Sequence, residues 1–219
     1  MTLNIHNYAE IIATITCFAC LIYKPSVLNR WFIFFLTLTV IIEFTGKLTT
    51  NFALFKTLMY NLFNGVEFIF YFCLLKRILE NANNKKLILG FAFLFCTFFL
   101  FNLFFIQGIS KYNNYTTTIG SLLLISSCLI GYFELLSTFS AGNKFLWSFF
   151  FVISGLLVFY LANFANYALL NYLFANEKQL SIKLYKAINN NSNVILYGFF
   201  SLAFIIEIRL KLNQAATTT

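Results

Sequence analysis

The chain reads as an all-α polytopic transmembrane bundle, most simply of seven helices, and three observations lead there. Its 219 residues are 60% hydrophobic and 10% charged, with a mean hydropathy of +0.80, whereas a soluble domain carries about 25% charge. Phenylalanine alone occurs 31 times, more aromatic area than a water-facing surface absorbs. The apolar runs are continuous and near the twenty or so residues that cross about 30 Å of hydrocarbon, unlike the alternating ten-residue strands of a β-barrel.

Seven spans follow in order. Residues 7–23 are short and include Glu10, but they lack the basic start and small-residue cleavage pattern of a signal peptide, so a mature helix is expected. Residues 28–47 place Thr39, Glu43, Gly46 and Lys47 on one helical face. In residues 57–75 the polar side chains Thr57, Tyr60, Asn61, Asn64, Glu67 and Tyr71 fall in a sector roughly 120° wide. Residues 87–106 spread phenylalanines round the whole circumference and hold one interior polar residue, Asn102, which predicts a helix facing lipid or a partner with Asn102 turned to the bundle. Residues 116–136 are rich in Ser and Gly. Residues 145–173 repeat the one-sided polar device with Tyr160, Asn163, Asn166, Tyr167 and Asn171, and Ser154-Gly155 there reads as a packing pair. Residues 193–210 form the last span. The connection before it places Leu180, Leu184, Ala187 and Ile188 on one face with Lys178, Lys183 and Lys186 elsewhere, the pattern of a short helix lying on the membrane surface. The whole is one domain over 1–212, with a polar tail over 213–219.

Charge sets the orientation. The net charge is +8, from fifteen Lys and Arg against seven acids, all Glu. These cations flank the apolar spans, where they anchor helices to headgroups; nucleic acid is not the expected partner. One set of connections holds Lys24, Arg30, Lys76, Arg77, Lys85, Lys86, Lys144, Arg209 and Lys211; the other holds Lys47, Lys56, Lys111, Lys178, Lys183 and Lys186. All three arginines fall in the larger set, which predicts that side as cytoplasmic, with the N-terminus outside and the C-terminus inside.

Polar faces in lipid must turn toward other helices or a wet cavity. Glu43 stands 13 residues beyond Arg30, about 20 Å, and Glu67 9 residues from Lys76, about 14 Å and near the midplane. One outward-biased pocket among the second, third and sixth spans accommodates Glu43, Tyr60, Asn61, Asn64, Glu67, Tyr160, Asn163 and Tyr167. Tyr8, Glu10 and Thr14 of the first span and Tyr197 and Ser201 of the last are further candidates for its wall. Lys47 lies one turn from Glu43, in ion-pair spacing. The plainer alternative is that these groups tie helices together by interhelical hydrogen bonds of about 0.6 kcal/mol each.

Several chemistries lack parts. The chain has one histidine, His6, and no Asp, so His-based metal sites, bis-histidine haem, His-dependent nucleophilic triads and an aspartyl dyad are not expected. The last span has no internal lysine for a retinal Schiff base. Cys17, Cys20, Cys73, Cys96 and Cys128 lie inside apolar runs and read as small apolar side chains rather than disulfides. No cofactor, metal or catalytic role is expected.

The words Glu43-Phe44, Met59-Tyr60-Asn61-Leu62-Phe63 and Val66-Glu67-Phe68, with Asn64 between them, resemble short, uncharacterised seven-helix membrane proteins of bacteria. The resemblance covers the second and third spans. It implies a multi-pass protein of a bacterial cytoplasmic (inner) membrane and carries no activity with it. Three functional classes fit: a non-catalytic sensor or small-molecule-binding subunit working through a cytoplasmic signalling partner, an accessory subunit packed against other membrane subunits, and a solute- or proton-coupled transporter. The absence of an internal repeat counts against the third.

Overall fold

The computed structural model describes residues 4–23, 26–49, 51–138 and 146–216. Its elements are α1 (Ile5–Tyr23), α2 (Val27–Leu48), α3 (Ala53–Ile78), α4 (Ala82–Phe101), α5 (Asn114–Thr138), α6 (Leu146–Asn176) and α7 (Lys178–Ala216), with a π-helical turn, Asn102–Ile106, closing α4. No strand occurs among the described residues. All seven α-helices are long and apolar enough to cross a membrane, as expected of a multi-pass membrane protein. Lys24, Lys144 and the end of the tail, cited above for topology, lie outside the described residues, as does the Asn171 side chain.

Local chemistry explains the helix starts. Ser26 caps α2, its hydroxyl accepting from Asn29 N at 3.0 Å, and Asn81 caps α4 by accepting from Asn83 N at 2.8 Å. The Asn81 cap is why α4 begins five residues before its apolar run. A carboxylate strengthens that corner: Glu134 of α5 accepts from Asn81 N at 2.8 Å and from Asn84 Nδ2 at 2.6 Å.

The largest departure from the sequence reading is α7. The segment expected as a separate surface helix is the first part of one continuous helix of 39 residues. No Pro interrupts residues 178–216 and the single Gly198 lies well beyond the junction, so nothing breaks the hydrogen-bond ladder. The same helix runs past Leu212 to Ala216, which shortens the expected tail. With α6 at 31 residues, the two form a hairpin closed at Glu177, whose N–H donates to Leu173 O at 2.7 Å.

The helices pack as a ring. Following contacts round it, α1 touches α2, α2 touches α3, α3 touches α5, α5 touches α6, α6 touches α7, and α7 returns to α1. Outside the ring, α4 sits against α3 and α5. Asn102 turns inward as expected: it is fully buried, donating to Thr116 Oγ1 at 2.7 Å and Gln107 Oε1 at 2.9 Å. On the opposite face of α4 and its π turn, Phe93 is 75% and Phe105 77% exposed.

Aromatic rings fill half of the ring's interior. Phe32 of α2 meets Phe70, Phe200 and Phe204 edge-on at 5.2–5.4 Å between centroids, and Phe35 stacks on Phe70 at 4.1 Å. Glycines admit two of the closest approaches. A Cβ on Gly120 of α5 would stand 2.7 Å from the Phe68 ring and 2.8 Å from the Phe95 ring, and one on Gly155 would stand 2.9 Å from Phe199 Cβ of α7. Ser154-Gly155 is therefore a packing pair in place: Gly155 seats α7, while the Ser154 hydroxyl meets Tyr132 OH of α5.

Candidate functional site

The other half of the interior is a polar cavity of about 480 Å³. It reaches the end of the bundle where α2 ends and α3 and α7 begin, the end that carries Lys47, Lys56 and Lys186. Every ring helix contributes wall and α4 contributes none.

Of the eight residues singled out from the sequence, six line this cavity: Glu43, Tyr60, Asn64, Glu67, Tyr160 and Tyr167. The deepest acid, Glu67, accepts a hydrogen bond from Tyr160 OH at 3.2 Å. Glu43 faces the cavity with no hydrogen bond or ion pair among the described residues, because Lys47 points across to α1 and donates to Asn7 Oδ1. The expected Glu43–Lys47 pair therefore does not form. Tyr60 packs over Gly46, where a Cβ would overlap its hydroxyl and ring, and the Lys56 ammonium lies 6.0 Å from the Tyr60 ring centroid. Asn64 both lines the cavity and donates to Thr117 Oγ1 of α5 at 2.7 Å.

The remaining two are ties rather than wall. Asn61 is fully buried between α3 and the connection before α5, donating to Lys111 O at 2.8 Å and accepting from Asn113 N at 3.0 Å. Asn163 donates to Ser192 Oγ at 2.8 Å, pinning α6 to α7. Both lie on the polar faces of their helices, but each amide is taken up by an adjacent segment, Asn61 by Lys111 and Asn113 and Asn163 by Ser192.

The sequence reading centred the pocket on the second, third and sixth spans, offered further wall from the first and last, and gave α5 no part in it. From α7 come Tyr185, Asn189, Asn193 and Tyr197. Their spacing of four residues was available as a signal, but it was hidden by reading residues 178–190 as a surface segment. Tyr112 and Thr117 close the cavity beside α5, and His6 and Asn4 do so beside α1. Tyr112 stacks on Tyr167 at 6.2 Å, and Tyr167 meets Tyr185 edge-on at 6.1 Å. Of the further candidates, Tyr197 is in the wall; Tyr8 is exposed, and Glu10, Thr14 and Ser201 stand outside the lining.

A second buried acid, Glu207, sits toward the other end of the bundle. Its carboxylate accepts from Ser148 Oγ of α6 at 3.1 Å, from Asn29 Nδ2 of α2 at 3.4 Å and from the Cys20 thiol of α1 at 3.7 Å. It joins four helices around a void of only about 10 Å³, so this cluster is a clasp rather than a site.

Carboxyl, ammonium, phenol and amide groups line the cavity, and no thiol does. Phenolic walls offer both hydrogen-bond donors and ring faces; Lys56 and Glu67 stand 11 residues apart on α3, about 16 Å along the axis, whereas Glu43 lies one turn from Lys47. Comparison with protein families, curated proteins and solved structures gave no match.

Proposed function

We propose that this chain is a non-catalytic, small-molecule-binding subunit of a cytoplasmic membrane. In this reading it takes a small zwitterionic solute from the outer side and works through a partner chain. The observation that carries the reading is the 480 Å³ cavity with Glu67 set deep on α3, Glu43 one turn from Lys47 near the end of α2, and Lys56 and Lys186 toward its mouth. A volume in that range suits a small ligand, and tyrosine walls with a few placed charges suit a solute bearing an ammonium at one end and an acid at the other. Access from outside follows from the positive-inside rule. The end opposite the cavity collects all three arginines, Arg30, Arg77 and Arg209. A partner is part of the proposal because the described chain consists of membrane spans and short connections.

Titration calorimetry of the detergent-solubilised protein against free amino acids, simple amines and simple carboxylates tests it. Zwitterions should bind more tightly than either half alone, and Glu67→Gln and Lys56→Gln should each weaken binding by at least about tenfold, the loss of one charge-assisted contact. No heat from any zwitterion, or affinities untouched by both variants, would sink the proposal. The accessory-subunit reading keeps one supporting observation, the exposed phenylalanines of α4 outside the ring. It predicts a membrane partner that copurifies in mild detergent and is lost when Phe93 and Phe105 become alanine.

A further inference from the structure

A lateral groove runs between α2 and α3 on the lipid side of the bundle, away from the polar cavity. It consists of two adjoining hollows, of about 380 and 510 Å³, which share Trp31, Phe70 and Cys73. Toward the middle of the membrane its walls are hydrocarbon, from Phe34, Leu38, Val66 and Ile69. Toward the end opposite the cavity its walls are cationic, from Arg30, Lys76, Arg77 and Lys85.

Three properties identify what fits. First, the four cations converge from α2, α3 and α4, and among the described residues none is hydrogen-bonded or ion-paired through its side chain. Of the acids at this end, Glu134 holds Asn84 and the turn before α4 and acts electrostatically on Lys85 alone of the four, Glu207 is in its buried clasp, and Glu80 stands outside the groove. Second, Val66 and Lys76 are 10 residues apart, about 15 Å, which matches one leaflet of a 30 Å hydrocarbon core. Third, Trp31 is 60% exposed beside Arg30, the placement of an interfacial anchor at headgroup level.

We infer that this groove is a binding site for an anionic phospholipid of the leaflet opposite the cavity mouth. One acyl chain lies along Phe34, Leu38, Val66 and Ile69, and the phosphate sits among Arg30, Lys76, Arg77 and Lys85. Arginine supplies forked donors to phosphate oxygens, and lysine supplies point charges. A free phosphate would leave the apolar part of the groove unused, and a zwitterionic headgroup would bring its own cation into a cluster already positive. The inference is independent of the ligand proposed for the cavity.

The test uses delipidated protein in detergent, with phosphatidylglycerol and phosphatidylcholine of identical acyl chains added in turn, and with glycerol phosphate and inorganic phosphate as headgroup-only arms. Native mass spectrometry should retain one phosphatidylglycerol per chain in preference to phosphatidylcholine, and the melting temperature should rise with phosphatidylglycerol alone. The exposed-site double variant Lys76→Gln/Arg77→Gln should weaken retention about thirtyfold, at about fivefold per cation removed near the membrane surface. Ile69→Trp, which fills the apolar part, should also reduce retention, whereas Lys178→Gln/Lys183→Gln at the other end should not. Equal retention of the two lipids, an equal response to inorganic phosphate, a second protein chain in the groove, or indifference to the Lys76/Arg77 change would each overturn the assignment.

Discussion

Glu67 has one side-chain partner among the described residues, Tyr160 OH at 3.2 Å, and its carboxyl otherwise faces the cavity. Replacement by Gln keeps the size of the side chain and an acceptor for that hydroxyl, so Glu67→Gln should melt close to wild type. Glu67→Leu removes the acceptor and leaves Tyr160 OH unpaired between α3 and α6, at a cost of about 1–3 kcal/mol. Thermal unfolding of the three proteins in the same detergent checks this; identical midpoints would mean that the Tyr160–Glu67 contact does no work in the fold. Residue type and helical phase located Glu43, Tyr60, Asn64, Glu67, Tyr160 and Tyr167 on the cavity wall, because a polar side chain in lipid has few places to go. Phase could not separate wall from tie. Asn61 and Asn163 share the polar faces of their helices, and what distinguishes them is the nearness of Lys111 O and Ser192 Oγ, contacts set by other parts of the chain.

At the level of elements the decisive feature is the unbroken α7. Spin labels at the exposed positions Lys183 and Ile205, in a background lacking native cysteines, should report backbone positions about 33 Å apart, the rise over 22 residues. A right-angled junction near Asn190, the arrangement expected from charge pattern, would bring them to about 25 Å. Apolar runs announced all seven spans, and the caps Ser26 and Asn81 explain where two of them start. The pattern failed where a helix leaves hydrocarbon without stopping. Hydropathy falls at Asn189-Asn190-Asn191, where Asn189 and Asn190 border the polar cavity and Asn191 is exposed, and the same fall would mark a loop. A similar ambiguity hid the role of α4: phenylalanine all round a helix says that it is surrounded by apolar matter, not that it stands outside a ring of six.

For the whole molecule, the parallel course of α1 and α7 and the alternation of the other helices put the cavity mouth and the lipid groove at opposite ends. If the arginine-bearing end is cytoplasmic, reporter fusions after Lys86 and Thr219 should read cytoplasm and fusions near Lys111 and Lys183 should read the outer side; an outward C-terminus would invert access to the cavity. The two ends are also mechanically joined. At 39 residues, α7 is about 58 Å long, almost twice the hydrocarbon thickness. Tyr185 and Asn193 present one arm of it to the cavity, while Glu207 holds the other arm to Asn29 and Ser148. If it moves as a rigid body, a stiff helix gripped this way would act as a seesaw about its middle. Rocking it by 4° would carry each tip about 2 Å, since each arm is about 29 Å long. If the cavity binds the solute proposed above, drawing the tyrosine arm inward would strain the Glu207 clasp at the other end of the bundle.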